Sequence, residues 1–182
     1  VSRSRIVTGE SIATDDVVIG LGAAGMRSDG YSLVRRIFAD RDLDGPAYPG
    51  ADISLGEELT RPSAIYAPLV LDLMASLPVH GAAHVTGGGI AANIARVLPP
   101  TLDVRLEVGA WPIPPIFTEM ARYGGVPLAT LADALPIGIG MALMLPREHE
   151  AEAIARAHSA GFEAYTIGDV RAGTGVAGYD GF

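Results

Sequence analysis

An α+β sandwich is the fold class this sequence predicts, and three observations predict it. Strand-like and helix-like stretches are interspersed without the strict alternation of a doubly wound parallel sheet. With 182 residues, 49% hydrophobic and 19% charged, the chain has the size and composition of one globular domain with a continuous core. Twice, an apolar strand runs through a glycine-rich turn directly into a helix, at 17–38 and again at 84–97.

Taken in order, Ile6-Val7 and the polar turn Thr8-Gly9-Glu10-Ser11 lead to a strand at 17–20, and residues 1–5 read as a run-up to a strand. The loop that follows carries glycines at 20, 22 and 25. Ser28 and Asp29 stand before a helix at 31–39 as candidate N-caps, because their oxygens accept otherwise unpaired backbone N–H groups. Leu33, Val34, Ile37 and Phe38 form its apolar face. Residues 40–55, rich in Asp, Gly and Pro, predict a surface loop. A short helix at 55–60 ends before Pro62, and a longer one at 63–76 has its regular start delayed by Pro68. The pairs Asp15-Asp16 and Glu57-Glu58 are expected on solvated faces.

His84-Val85-Thr86 ends a buried-looking strand that enters Gly87-Gly88-Gly89, and the helix at 90–97 stops at Pro99-Pro100. Residues 102–108 alternate as a half-buried strand should. Trp111 and its neighbouring prolines form a rigid approach to a helix at 116–123, with the indole expected in the core rather than stacked on a ligand. A short helix at 128–134, a strand at 137–145, an Ala-rich helix at 147–159 and a strand at 162–170 complete the domain, 1–170. Residues 171–182, with four glycines and no periodicity, are expected to form a Gly-rich flexible tail.

Composition excludes several classes of function. A net charge of −8 without a basic tract argues against a nucleic-acid partner, whose binding rests on neutralised phosphates. No apolar run approaches the roughly 20 residues that span a bilayer. No secretory signal opens the chain, so a cytoplasmic protein with no membrane partner is expected. The absence of cysteine removes disulfides, thiol nucleophiles and cysteine metal sites. His80, His149 and His158 are widely spaced with no matching carboxylates, so no metal site is expected.

The chemistry concentrates in the two glycine turns. A glycine-rich approach to a helix lets backbone N–H groups converge on an anion. At the first turn, Gly25, Ser28, Asp29 and Gly30 are candidate phosphate contacts, and Arg27 adds a cationic fork suited to phosphate or carboxylate. The blander alternative is an ordinary capped helix after a strand. At the second turn, Thr86, Gly87, Gly88 and Gly89 are candidates for the same work, or serve close helix–strand packing. His84 is a candidate substrate contact or a hydrogen-bonded structural histidine.

Three stretches go further than generic glycine loops. GLGAAGMRSDGYSLVRR at 20–36, HVTGGGIAANIARVLP at 84–99 and WPIPPIF at 111–117 resemble the C-terminal domain of aminoimidazole ribonucleotide synthetase, also called phosphoribosylformylglycinamidine cyclo-ligase. LGEELTRPSAIY at 55–66 and GIGM at 138–141 support the resemblance, which runs from about 16 to 170 in the family's order. It implies an α/β sandwich of partly ferredoxin-like topology and an upstream N-terminal domain, absent from this chain, that holds most of the ATP and Mg²⁺ site and the homodimer contact. The chain begins with Val1 rather than Met, in keeping with that expectation. The implied reaction is ATP-dependent closure of the imidazole ring of formylglycinamidine ribonucleotide. This domain would help to hold the phosphorylated ribonucleotide, and Arg27 would be the catalytic-site residue.

The chain also departs from the family pattern. Where the family reads Ser-Ser-Gly-Leu-His-Ser-Asn-Gly-Tyr, this chain has Ala23-Ala24-Gly25-Met26-Arg27-Ser28-Asp29-Gly30-Tyr31. Two hydroxyls are gone, and Arg27 can hold a phosphate but is no proton shuttle near neutral pH. Ala134-Leu135-Pro136 stands where the family reads Thr-Phe-Asn. Two alternatives therefore stay open beside the cyclo-ligase: a paralogue with another ATP-activated substrate, and a non-catalytic subunit that binds a phosphorylated metabolite.

Overall fold

The computed structural model describes residues 6–182; the expected run-up at 1–5 lies outside the described residues. One six-stranded sheet organises them. Its strands are β1 (Asp16–Gly22), β2 (Gly81–His84), β3 (Leu102–Glu107), β4 (Ile139–Pro146), β5 (Ala164–Ala172) and β6 (Ala177–Asp180), in the spatial order β2-β4-β1-β5-β3-β6. Every neighbouring pair is antiparallel except β3 and β6, which run parallel.

The α+β class holds, with helices on both faces of the sheet. β1 is central, and its period-two alternation feeds two cores. Val17, Ile19 and Leu21 point to one face with Leu143 and Leu145, under α3 (Ala67–Ser76) and α7 (Glu150–Ser159). Val18 points to the other face with Val104, Leu106, Met144 and Ile167. That face is covered by α1 (Tyr31–Ile37), α2 (Leu55–Leu59), α4 (Gly89–Ala95), α5 (Pro115–Gly124) and α6 (Leu128–Ala132). Trp111 is in this core as expected, its indole N–H donating to the Ile137 carbonyl at 2.9 Å. No helix among the described residues is long and apolar enough to cross a membrane.

Four expectations are corrected. Ser28 and Asp29 do not cap α1: its N-cap is Gly30 in the left-handed region (φ 74°), with no side-chain cap. The turn has already reversed at Arg27 (φ 58°), so Ser28 Oγ lies 3.2 Å from Ser63 Oγ. Asp16 and Glu58 are buried rather than solvated, because each finds a polar partner: His80 Nδ1 at 2.8 Å and the Ala13 N–H at 3.0 Å for Asp16, Arg61 Nε at 3.2 Å for Glu58. His84 ends an edge strand with its side chain exposed.

The last correction concerns the tail. β5 runs to Ala172, and Ala177–Asp180 pairs with β3. Asp103 accepts hydrogen bonds from the backbone N–H groups of Thr174 and Val176, at 2.7 and 2.8 Å, and so shapes the intervening turn. Those bonds hold the Asp103 carboxyl below the usual carboxylate range.

Candidate functional site

The first glycine turn leaves β1 where the β1–β4 register shifts, between Leu21 and Gly22. Ala23 N–H donates to Gly138 O at 2.8 Å, and the fully buried Met26 anchors the turn in the core. Because Arg27 is left-handed, its side chain turns inward, and the residue is only 6% exposed. Nη1 donates to the carbonyls of Val85, at 2.5 Å, and Gly140, at 3.2 Å. Nη2 lies 2.6 Å from His84 Nε2. Arg27 thus closes the end of the sheet where the chain leaves β2 beside β4.

Tyr66 roofs this arrangement. The Arg27 guanidinium lies 5.8 Å from its ring centroid, and its hydroxyl donates to Gly22 O at 2.8 Å. Burial raises the phenol's pKa, with the Arg27 charge acting in the opposite sense. Gly140 makes the roof possible, since a Cβ there would sit 2.1 Å from the tyrosine hydroxyl. Among the described residues Arg27 pairs with no carboxylate, and residues 1–5 contain none. A buried cation satisfied by carbonyls and an imidazole leaves an uncompensated positive charge, which an anionic ligand would complete.

Beside this cation, α2 and the segment after it pack on the turn. Tyr31 donates to the Leu59 carbonyl. A Cβ at Gly25 would lie 3.3 Å from Glu58 Oε1. Burial raises the Glu58 pKa, and Arg61 works against the rise.

The second turn is differently built. Asn93 is its hub, only 4% exposed. Its Nδ2 donates to the carbonyls of Thr86, Gly87 and Gly89 at 3.2, 3.3 and 2.7 Å. Its Oδ1 accepts from Thr86 Oγ1 at 3.1 Å and Arg96 Nη1 at 2.9 Å. Gly88 N–H donates to Ala134 O and Gly89 N–H to Thr86 O, each at 3.2 Å. Ala91 N–H points to the Tyr179 hydroxyl at 3.4 Å, and that hydroxyl donates to Ala132 O at 3.3 Å. Burial pushes the Tyr179 phenol up to about 12, with the Ala91 and Ile90 N–H groups opposing.

Leu135 links the two turns. A Cβ at Gly30 would lie 2.1 Å from Leu135 Cδ2, and one at Gly89 would lie 3.3 Å from the Leu135 carbonyl. The segment in which this chain departs from the family pattern therefore separates the two candidate loops. Among the described residues no three His, Asp or Glu side chains converge as a metal site would require.

Residues 13–181 match the family model described as AIR synthase related protein, C-terminal domain. The chain belongs to this family. It is 41% identical over 177 residues to the phosphoribosylformylglycinamidine cyclo-ligase of Bacillus subtilis, covering 96% of this chain and 51% of that protein. To the enzyme of the same name from Burkholderia ambifaria it is 42% identical over 174 residues, covering 94% of this chain and 49% of that protein. The chain spans about half the length of the curated relatives it matches.

Among solved structures, the thiamine-monophosphate kinase of Stenotrophomonas maltophilia aligns with a TM-score of 0.67 at 19% identity, over 100% of this chain and 55% of that one. Escherichia coli HypE, a hydrogenase maturation protein, aligns with a TM-score of 0.64 at 18% identity, over 96% of this chain and 49% of that one. At such identities the likeness is one of fold.

In this AIR synthase-related domain, Arg27 and His84 meet at one end of the sheet, with Gly25 in the same turn as Arg27. Ser28, Asp29 and Gly30 lie on the outer run of the first turn, where Ser28 and Gly30 are exposed. Thr86, Gly88 and Gly89 are engaged within the protein, while Gly87 is exposed with open space where a side chain would go. Sequence reasoning missed Tyr66, Glu58 and Asn93. For Asn93 a signal existed, since it is the one polar side chain in the helical run GIAANIA and follows the first residue of that run by one turn.

Proposed function

We propose that this domain is the C-terminal half of a phosphoribosylformylglycinamidine cyclo-ligase, which uses ATP to close the imidazole ring of formylglycinamidine ribonucleotide. The observation that carries the proposal is 41% identity to an enzyme of that name across 96% of this chain. The uncompensated guanidinium of Arg27 supports it, as an anionic substrate supplies the missing charge. In this reading the first turn, with Gly25, Ser28, Asp29 and Gly30, borders the ribonucleotide phosphate. Gly87 is the best-placed member of the second turn, while Thr86, Gly88 and Gly89 shape that turn from within.

Following the resemblance, the proposal assigns Mg²⁺ and most contacts to the co-substrate ATP to an N-terminal domain, within a cytoplasmic homodimer. The task of this half is to bind and orient the ribonucleotide and to keep water from the reacting atoms. Arg27 contributes positive field there rather than proton transfer.

The test is a single-turnover reaction of the longest expressed form with ATP, Mg²⁺ and formylglycinamidine ribonucleotide, following ADP and imidazole product together. Product in step with ADP is the expected result. ADP without imidazole would indicate a paralogue with another substrate. Saturable ribonucleotide binding without turnover would indicate a binding subunit. Either of these two results would overturn the proposal.

A further inference from the structure

We propose that Arg27 acts through His84: it fixes the imidazole in the Nδ1–H tautomer, and that N–H is the donor the site presents to an oxygen of the phosphorylated substrate. The second half rests on the proposed ribonucleotide site, whereas the first half stands on geometry alone.

A guanidinium carries five N–H donors and no acceptor. In Arg27 the two Nη1 donors serve Val85 O and Gly140 O, and Nη2 reaches His84 Nε2 at 2.6 Å. Nε is buried without a partner, and the second Nη2 N–H makes no hydrogen bond among the described residues. Tyr66 stands over the guanidinium at 5.8 Å, and Arg27 as a residue is only 6% exposed, which leaves it little surface through which to meet a substrate. His84 is its opposite. It ends an edge strand with its side chain exposed, and among the described residues its Nδ1 has no hydrogen-bond partner. Period-two alternation places it on the same sheet face as Ala82, which packs with Tyr66 against the α3 core.

Since the guanidinium can only donate, His84 Nε2 accepts, and the neutral ring carries its proton on Nδ1. A fixed cation behind the ring then polarises that N–H toward an oxyanion, as charge-linked hydrogen bonds reinforce one another away from bulk water. The buried arginine is the positioning residue, and the exposed histidine makes the contact.

The experiment is ¹⁵N spectroscopy of the longest expressed form with ring-labelled histidine. His84 is assigned among the four histidines by a His84→Gln variant. The expected wild-type spectrum has Nε2 unprotonated and Nδ1 protonated, and Arg27→Met releases a mixture of tautomers. A protonated Nε2 in the wild type overturns the proposal, and that result needs no variant to fold. An Arg27→Met protein that folds and keeps the wild-type tautomer also overturns it.

Addition of inorganic phosphate, then of formylglycinamidine ribonucleotide, is expected to move the Nδ1 signal. Movement with both identifies a phosphate oxygen, and movement with the ribonucleotide alone identifies another substrate oxygen. A bound ribonucleotide that leaves Nδ1 unmoved overturns the presentation half.

In steady state, His84→Ala and Arg27→Met each raise KM by about tenfold, the worth of one good hydrogen bond. The double variant is expected to be no worse than the poorer single. Multiplying effects would mean that Arg27 touches substrate itself, overturning its indirect role. If the wild type binds the ribonucleotide but forms no imidazole, the functional proposal fails and the tautomer result still decides this one.

Discussion

The two glycine turns look alike in sequence and do opposite things with their polar groups. At the first, the backbone turns left-handed at a non-glycine residue and folds a cation inward with no counter-charge. At the second, the N–H groups of Gly88, Gly89 and Ala91 are already taken by Ala134, Thr86 and Tyr179. A run of glycines between strand and helix therefore does not by itself make an anion nest. At the second turn glycine answers a need for space, and at the first an inward side chain supplies the electrostatics.

Substitution of the glycines tests that contrast most sharply. A Cβ at Gly89 would lie 1.9 Å from the Ala132 carbonyl, at a φ of 71°. Gly89→Ala is expected to lose about 3 kcal/mol or more by denaturant unfolding, from overpacking added to left-handed strain. At Gly87 a Cβ meets nothing within 4 Å and φ is not positive, so Gly87→Ala should be nearly neutral. Equal losses at the two positions would break the packing account of the second turn.

Next in size is Asn93→Ala, which removes the side-chain donor shared by the carbonyls of Thr86, Gly87 and Gly89 and leaves Thr86 O with the Gly89 N–H alone. A loss of about 2–3 kcal/mol is expected, the cost of buried polar groups left unpaired. Asn93→Asp should not restore it, since the carboxylate cannot donate to those carbonyls. Smaller again is Tyr179→Phe, expected to cost about 1 kcal/mol through the lost hydroxyl contacts to Ala91 and Ala132. A neutral result would mean that β6 is held by strand pairing alone.

The subtlest test is pH. Burial raises Glu58 beside the first turn above its ordinary 4.5, so the folded protein keeps that proton to higher pH than the unfolded chain does. Stability contributed there falls as pH rises from the ordinary value through the raised one. Glu58→Gln should therefore be the more stable protein at neutral pH, its advantage vanishing below the ordinary carboxylate value. Glu119 behaves inversely, because hydrogen bonding from Arg122, helped by Arg41, lowers its pKa. Its contribution is present above 4.5 and is lost as pH falls through the lowered value, so Glu119→Gln should destabilise at neutral pH. Thermal unfolding of the two variants across pH measures both.

Most elements of the fold were legible because periodicity and proline boundaries are local. The strands around Val17, Val104 and Leu143 and the helices around Val34 and Phe117 all stand where alternation or helical spacing expects them. β6 was not legible. Four residues, two of them Ala and Gly, carry no alternation, and the strand is held by distant partners: β3, Asp103 and the α4 end that Tyr179 reaches.

The site was half legible. Motif and charge singled out Arg27 and His84, but nothing local announces that they would touch, since a left-handed Arg27 and the end of an edge strand must be folded to meet. The burial of Asp16 and Glu58 was hidden for a related reason. A carboxylate's burial depends on whether a polar partner folds against it, and for Asp16 that partner is His80, far along the chain.

The central position of β1 also bears on how the chain is made. Asp16 pairs with Pro146, and Val17 with both Leu145 and Asp169. Within this domain β1 therefore has neither neighbour until almost the entire domain has followed it. Until then its apolar residues lack their partners in this domain's sheet. Such long-range pairing folds slowly and leaves an unpaired apolar strand open to wrong partners. The strand order itself thus makes Val17–Leu21 the stretch that waits longest for its partners.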